Sequence, residues 1–373
     1  MTQVWRILCF CLIFIAFASA DVYYLAEGAK NNGNAFAPAD YLSQDIVLSQ
    51  RIKWPDASFS WYGAFDAGQV AANESFYSKC LEAGVGIDIG NGWFVDLGKK
   101  KTKTGVGYFR KPTDYLKGGG TIGQNRSAAS QEKVSEGLVG IDIAYMGEGV
   151  TFRGISIPRW DNDQQEQSLL SFASKFGDAD YTVFLYRGDY ASLGLNGNTV
   201  IGDSLELHMD SKWTQQMNRS LPSGSGSSTT TQEQNGVIDA LLGCTYAFDP
   251  NTSLTIEYNY NGAGLEGSEY NEMLDYTQNY GPSLYDTYGL LSVAKHYLYE
   301  RFAQTYTDCK LTLELMNANN LQDQSGFASI GLSQAYDQAT VSLVARVFYG
   351  ADRSEFGFAP IRSTFSAEVE MFL

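Results

Sequence analysis

An alternation of apolar and polar positions runs along the final strand of this chain, with Phe372 falling on the polar side. From Ile361 to Leu373 one side carries Phe365, Ala367, Val369, Met371 and Leu373, and the other Thr364, Ser366, Glu368, Glu370 and Phe372. A period of two defines a β-strand with one apolar face. Left at the margin of a soluble sheet, it would be an exposed edge of the kind proteins blunt. In a closed transmembrane barrel the final strand pairs with the first and no edge remains.

The same period recurs upstream. Asp45 to Trp54 places Ile46, Leu48, Ile52 and Trp54 on one side, with Arg51 and Lys53 on the other. Phe76 to Gly90 and Trp93 to Leu97 form a hairpin across Gly90-Asn91-Gly92, a strong tight-turn signal. Further strands are expected at Leu138 to Tyr145, Val150 to Ile157, Ser168 to Phe176, Tyr181 to Arg187, Ser204 to Trp213, Val237 to Phe248 and Leu254 to Tyr260. Leu311 to Leu315, Phe327 to Tyr336 and Val341 to Tyr349 follow, then the terminal strand. Asp21 to Ser43 reads as an irregular lead-in, and Gly289 to Thr307 as a helix-like start that continues as a strand. Gly118 to Val134, Arg219 to Gly236 and Glu266 to Tyr288 read as long loops, the last with room for a helical turn. The pattern predicts an all-β, antiparallel transmembrane barrel of roughly 14 strands, within 12 to 16, with both ends in the periplasm and long loops outside.

The first twenty residues stand apart. Arg6 precedes the apolar run Ile7 to Phe17, and Ala18-Ser19-Ala20 closes it as a small-x-small cleavage site. This is the pattern of a secretory signal peptide, cut after Ala20 to leave residues 21–373 as one barrel domain. The run is too short for a spanning helix, which takes about 20 residues. The expected destination is the outer membrane of a Gram-negative bacterium.

Composition sharpens this. The 24 Tyr, 21 Phe and 38 Gly suit short alternating strands with aromatic girdles. A formal charge of −16 argues against nucleic acid and anionic membrane surfaces as partners. Cys80, Cys244 and Cys309 match no metal spacing and form at most one bridge.

Several segments carry a resemblance. Asp96-Leu97-Gly98-Lys99 is followed by Gly105-Val106-Gly107-Tyr108-Phe109 and Pro112-Thr113-Asp114-Tyr115-Leu116. Glu257 to Gly262, His296-Tyr297-Leu298, Asp323 to Gly326 and Ser354 to Gly357 complete the set. These resemble Gram-negative outer-membrane barrels of the porin-like, alginate-exporter-like group. There a strand ends in Gly-Lys, and a Trp-Gly-x-Gly-Tyr segment leads into a Pro-x-Asp turn. Here Lys103-Thr104 stands where the Trp is expected. The resemblance implies a barrel carrying something across the membrane and does not name the cargo.

Barrel physics points to the chemistry. One strand face meets lipid and must be apolar, while the other meets the lumen and accepts charge. The candidates for the lumen are Arg51, Lys53, Asp88, Asp96, Asp142, Glu206, His208, Asp210, Glu257, Glu314, Arg346, Glu368 and Glu370. Either they line a conduction path or they merely solvate a polar interior, since the fold alone makes the lumen polar. Acids outnumber bases among them, which predicts an interior that favours cations.

His208 and His296 are the only histidines. In His208-Met209-Asp210-Ser211 the histidine and the serine fall on opposite strand faces, so a hydrolase is the least favoured reading. His296 is expected to pack against Tyr297 or Tyr299. Asp161, Asp163, Asp323 and Glu355 sit on loops without a calcium-loop spacing. The expectation is a porin-like channel without cofactor or metal, meeting small polar solutes, outer-membrane lipid and lipopolysaccharide, and the barrel-assembly machinery during biogenesis. The rival is a non-transporting barrel, an adhesin or structural protein acting through its loops.

Overall fold

The computed structural model describes residues 21–31, 41–53, 59–70, 75–116, 137–159, 165–222, 229–280, 293–358 and 361–372. They form 18 strands: β1 (Asp21–Asn31), β2 (Tyr41–Lys53), β3 (Phe59–Val70), β4 (Ser75–Gly90), β5 (Trp93–Lys100), β6 (Leu138–Gly147), β7 (Val150–Ile157), β8 (Gln167–Phe176) and β9 (Ala179–Arg187) in the first half. The second half holds β10 (Ala191–Ile201), β11 (Leu205–Pro222), β12 (Thr229–Asp249), β13 (Thr252–Asn261), β14 (His296–Tyr306), β15 (Leu311–Asn320), β16 (Gly326–Ala335), β17 (Ala339–Tyr349) and β18 (Ile361–Phe372). One helix, α1 (Gly267–Tyr280), lies between β13 and β14.

Each strand pairs antiparallel with its sequence neighbours, and β18 returns to β1 with Asp21 opposite Phe372, so the sheet is closed. The terminal strand finds its partner as the edge argument requires. That partner is Asp21–Asn31, which the sequence suggests is an irregular lead-in. Ala191–Ile201 also went unread as a strand, because Gly194 and Gly197 break the alternation. The barrel is therefore wider than the roughly 14 strands expected.

Burial on β18 shows which face is which. Phe365 and Met371 are 53% and 38% exposed, while Thr364, Ser366 and Glu368 on the alternate positions are 7%, 3% and 6%. Leu170, Leu185, Leu242, Ile330 and Val347 are likewise exposed, forming the apolar outer band.

Connections are short on the rim that holds both strand termini: residues 91–92, 148–149, 177–178, 202–204 and 250–251. One is the predicted Gly90-Asn91-Gly92 turn, where all three residues take positive φ, as a primed hairpin turn demands at its two central positions. The opposite rim carries the long connections, 101–137 and 262–295. Arg219 to Gly236 is a correction: β11 and β12 pair from Gln216–Asn235 out to Pro222–Thr229, leaving only 223–228 between them. Thr-rich sequence suits strands, and beyond the apolar band a ladder needs no hydrophobic face. Glu266 to Tyr288 holds α1 rather than a bare loop. Gly118 to Val134, Asp161 and Asp163 lie outside the described residues.

Candidate functional site: a strap across the lumen

After Lys100 the chain does not leave the barrel. Residues 101–116 fold inward and cross the lumen against the β9–β16 wall, held mainly by two carboxylates. Asp210 accepts hydrogen bonds from the backbone N–H of Thr113 (3.0 Å) and Val106 (3.3 Å). Glu257 accepts from the N–H of Tyr108 (2.7 Å) and Phe109 (2.9 Å). Asn196 Nδ2 donates to the carbonyl of Thr104 (2.6 Å) and to Thr113 Oγ1 (3.2 Å). A strap with no ladder partner must find acceptors for its N–H groups, and buried wall carboxylates supply them.

The Gly-x-Gly segment allows this approach. A Cβ on Gly105 would sit 2.7 Å from Asp210 Oδ2, and one on Gly107 would collide with Arg110 O and Leu241. Lys111-Pro112-Thr113-Asp114 then turns the strap, with the Asp114 N–H donating to Lys111 O (3.0 Å) and proline at the second turn position.

Aromatic side chains seat both ends. Phe109 stacks on Tyr299 at 5.1 Å and lies near Phe327. Tyr115 stacks on Tyr186 at 4.7 Å, beside Phe184 and the cluster of Leu116, Ile155, Ile157 and Leu169. Burial pushes the Tyr115 phenol up from its ordinary pKa, and the Asp210 and Asp239 carboxylates add to the shift. It stays a neutral stacking ring at physiological pH.

Most lumen candidates turn out to be paired. Glu257 is fully buried and accepts from His208 Nε2 at 2.9 Å, with the missing side chain of Gly243 making room for the imidazole. Asp96 and Asp142 face each other across β5 and β6, with Lys100 bonded to both and Arg153 to Asp142 (2.6 and 2.9 Å). Glu314 holds Arg301, whose guanidinium lies 5.5 Å from the Tyr108 ring. Arg346 lies 4.6 Å over Phe327. Glu206, Glu368 and Glu370 occupy the inner face of β11 and β18. Asp88 is instead exposed at the rim, where it accepts from the Gly90 N–H (2.9 Å). Arg51 and Lys53 lie in β2, and their side chains fall outside the described ones.

The sequence reading overlooked Lys100, Arg153, Lys212 and Arg301. Lys212 pairs with Asp239 at 2.9 Å. Lys100 could have been found, since period two puts it on the face of Asp96. Arg301 was hidden in a segment with a helix-like start.

His296 corrects a second expectation. It lies on the outer face, where its Nδ1 and Tyr258 Oη share a hydrogen bond (2.6 Å) and Tyr260 is beside it. Tyr297 and Tyr299 point the opposite way, so contact comes across the ladder rather than along the chain. Ser211 also faces outward, donating to Leu195 O (3.2 Å), away from His208.

A second group closes on the loop-bearing rim. Glu355 is fully buried and accepts from Tyr297 Oη (2.9 Å) and Asn320 Nδ2 (2.7 Å). Asp323 accepts from Tyr270 Oη (2.6 Å) and the Glu355 N–H (2.7 Å). Leu265, Tyr270, Met273, Phe356 and Phe358 form the apolar core around them. Asp323 and Glu355, two of the four loop acids weighed for calcium, thus join a hydrogen-bonded clasp between α1 and the 350–358 segment.

A closed antiparallel barrel, apolar outside and polar inside, with a loop folded into the lumen has the fold of a transmembrane β-barrel. Comparison with solved structures agrees. OpdQ of Pseudomonas aeruginosa superposes with TM-score 0.62 at 10% identity, over 95% of this chain and 98% of that one. OccAB3 of Acinetobacter baumannii superposes with TM-score 0.57 at 10% identity, over 96% and 99%. A porin of Rhodopseudomonas blastica, a triple mutant, reaches 0.48 over 95% and 99% at 10% identity. OpdQ and OccAB3 are outer-membrane porin-like barrels of Gram-negative bacteria, and this chain has their fold. No protein-family model and no curated protein matches the sequence.

Proposed function

We propose that this chain is an outer-membrane channel through which small polar solutes diffuse or are exported. The inward strap carries the reading: its backbone is fixed to Asp210 and Glu257, which narrows the lumen without a ladder of its own. A polypeptide built for surface adhesion has no need of buried carboxylates that draw a loop inward. The signal peptide would be removed after Ala20, and the barrel would meet lipid, lipopolysaccharide and the assembly machinery on its way.

On sign, the interior favours cations, but more weakly than the acids alone suggest. Glu206, Glu368 and Glu370 add negative charge to the inner wall, while Lys100, Arg153, Lys212 and Arg301 neutralise Asp96, Asp142, Asp239 and Glu314. In a narrow, low-dielectric lumen a modest excess still concentrates counter-ions. With Glu257 occupied by His208, no hydrolytic role is proposed.

Planar-bilayer conductance tests the reading, followed by liposome swelling with sugars and amino acids of rising size. Discrete channels with a size cut-off are expected. A folded barrel that neither conducts nor swells liposomes would favour the adhesin or structural rival.

A further inference from the structure

The strap turns apolar side chains toward the lumen. Gly105 and Gly107 face the wall, where a Cβ on the first would press on Asp210 and one on the second would collide with Leu241. The alternate residues, Val106 and Tyr108, therefore face the open side, and they are 37% and 46% exposed. Three contacts hold the Tyr108 ring in place. Its own N–H is bonded to Glu257, the His208 ring meets it edge to face at 6.0 Å, and the Arg301 guanidinium lies 5.5 Å from its centroid. An aromatic ring fixed in this way is a rigid platform that loses little freedom when a solute lands on it.

The charges beside the ring are balanced. Arg301 on β14 reaches diagonally to Glu314 on β15, with Nε donating to Oε2 at 2.6 Å, and the two side chains remain 24% and 29% exposed. Gly331, opposite Glu314 on β16, leaves the wall bare at that point, since a Cβ there would find no atom nearer than 3.7 Å. Arg346, further along the wall, is buried and turned onto Phe327. A cation arriving beside Tyr108 meets Arg301, and an anion meets Glu314, so the pair rewards neither sign. To an uncharged solute it offers the guanidinium donors and carboxylate lone pairs that the bond between them leaves unused.

We propose that Tyr108, Arg301 and Glu314 form a subsite for an uncharged cyclic polyol of monosaccharide size, with its apolar ring face on Tyr108 and its hydroxyls on the Arg301–Glu314 pair. The flat platform selects a ring over a flexible chain. A donor and an acceptor side by side answer neighbouring hydroxyls, each of which both donates and accepts. An apolar surface with a few fixed polar groups is also the usual make-up of small-molecule sites. The inference rests on the channel reading and names a solute class for it. The cation preference argued above concerns ions that pass without lodging here.

The test is the potassium chloride current through the full barrel in a planar bilayer with D-glucose added to both chambers. Glucose should lower the current along a saturating curve. Sorbitol, a polyol with the same carbon count and no ring, should lower it only in proportion to viscosity. Tyr108→Ala should raise the half-saturating glucose concentration by about five- to tenfold, while hydrogen exchange finds the Phe109 amide still protected by Glu257. Glu314→Gln touches no strap bond, and it should weaken glucose likewise while letting glucuronate block through the unbalanced Arg301. Should Tyr108→Ala free the strap, Glu314→Gln decides the matter. Glucose and sorbitol acting alike, a wild type blocked better by glucuronate or protonated glucosamine than by glucose, or a glucose block that survives Glu314→Gln would overturn the inference and leave the channel reading standing. A folded wild-type barrel without any conductance would overturn both.

Discussion

Replacing Glu257 by Gln tests whether a wall carboxylate holds the strap. The native side chain accepts two strap N–H groups at 2.7 and 2.9 Å and is fully buried. Glutamine keeps one acceptor oxygen and turns an NH2 toward the other amide, so one charge-assisted bond is lost and the second becomes neutral. Hydrogen bonds to charged groups contribute about 1.5–3 kcal/mol each, against about 1 for neutral ones. The net loss is about 2–3 kcal/mol, or about a 30- to 150-fold rise in the open fraction of this segment. Asp210 still holds Val106 and Thr113, so the opening is local. Hydrogen exchange reads it directly: protection of the Tyr108 and Phe109 amides should fall by that factor while β12 and β13 stay protected. Single-channel conductance should rise and become noisier. Protection unchanged within about threefold, with unchanged conductance, would refute the anchoring argument, because bonds to a buried anion cannot be both present and energetically silent.

Phe109→Ala removes the ring stacked on Tyr299 and should cost about 3 kcal/mol of strap docking, seen as faster trypsin cleavage after Arg110. Arg153→Met should lower the urea midpoint, by about 3 kcal/mol at most, because it strips a partner from nearly buried Asp142; adding Asp142→Asn should recover much of that. Glu368→Gln with Glu370→Gln should reduce cation preference in the reversal potential under a potassium chloride gradient, and anion preference in the wild type would contradict the sign argued for the lumen. Glu266 is exposed, and its bond to Lys295 holds its carboxyl below the usual range. Its contribution is present above about pH 4.3 and fades as pH falls through the lowered value, but solvent screens it. Glu266→Gln should therefore leave the urea midpoint at pH 7 unchanged.

What the sequence showed well was whatever lipid enforces. Phe365 to Met371 alternates strictly because a lipid-facing slip would expose charge, so that strand and its faces were readable. Ala191–Ile201 was not, since its inward side is Ser192, Gly194 and Asn196, chosen to fit under Thr113 and Tyr115 rather than to alternate in polarity. The long β11–β12 hairpin was missed for a related reason: above the apolar band, Ser, Thr and Gln serve strand and loop equally. Of the site, Asp210 and Glu257 were found as lumen acids, but their task was not. Nothing in Leu205 to Asp210 indicates a strap a hundred residues earlier in the chain. The segments that resembled a known group did mark it, for Gly105 to Leu116, Glu257, Asp323 to Gly326 and Ser354 to Gly357 are the segments that form the strap, its anchor and the rim clasp.

The strand count explains why these acids exist. Barrel diameter grows with strand number, and about eight strands already give an interior that side chains can just fill. Eighteen strands leave a lumen that they cannot fill. Such a barrel is an open hole unless backbone is brought inside, and backbone brought inside carries N–H groups that need acceptors. Wall carboxylates meet that need twice, at Asp210 and Glu257, while Asp142, Asp239 and Glu314 are each balanced by a neighbouring base. An acidic lumen tally on its own therefore does not measure selectivity. Some of these carboxylates are anchors whose charge is already directed at the strap, and some are neutralised across the ladder. The formal −16 of the chain therefore does not by itself set the preference of the channel.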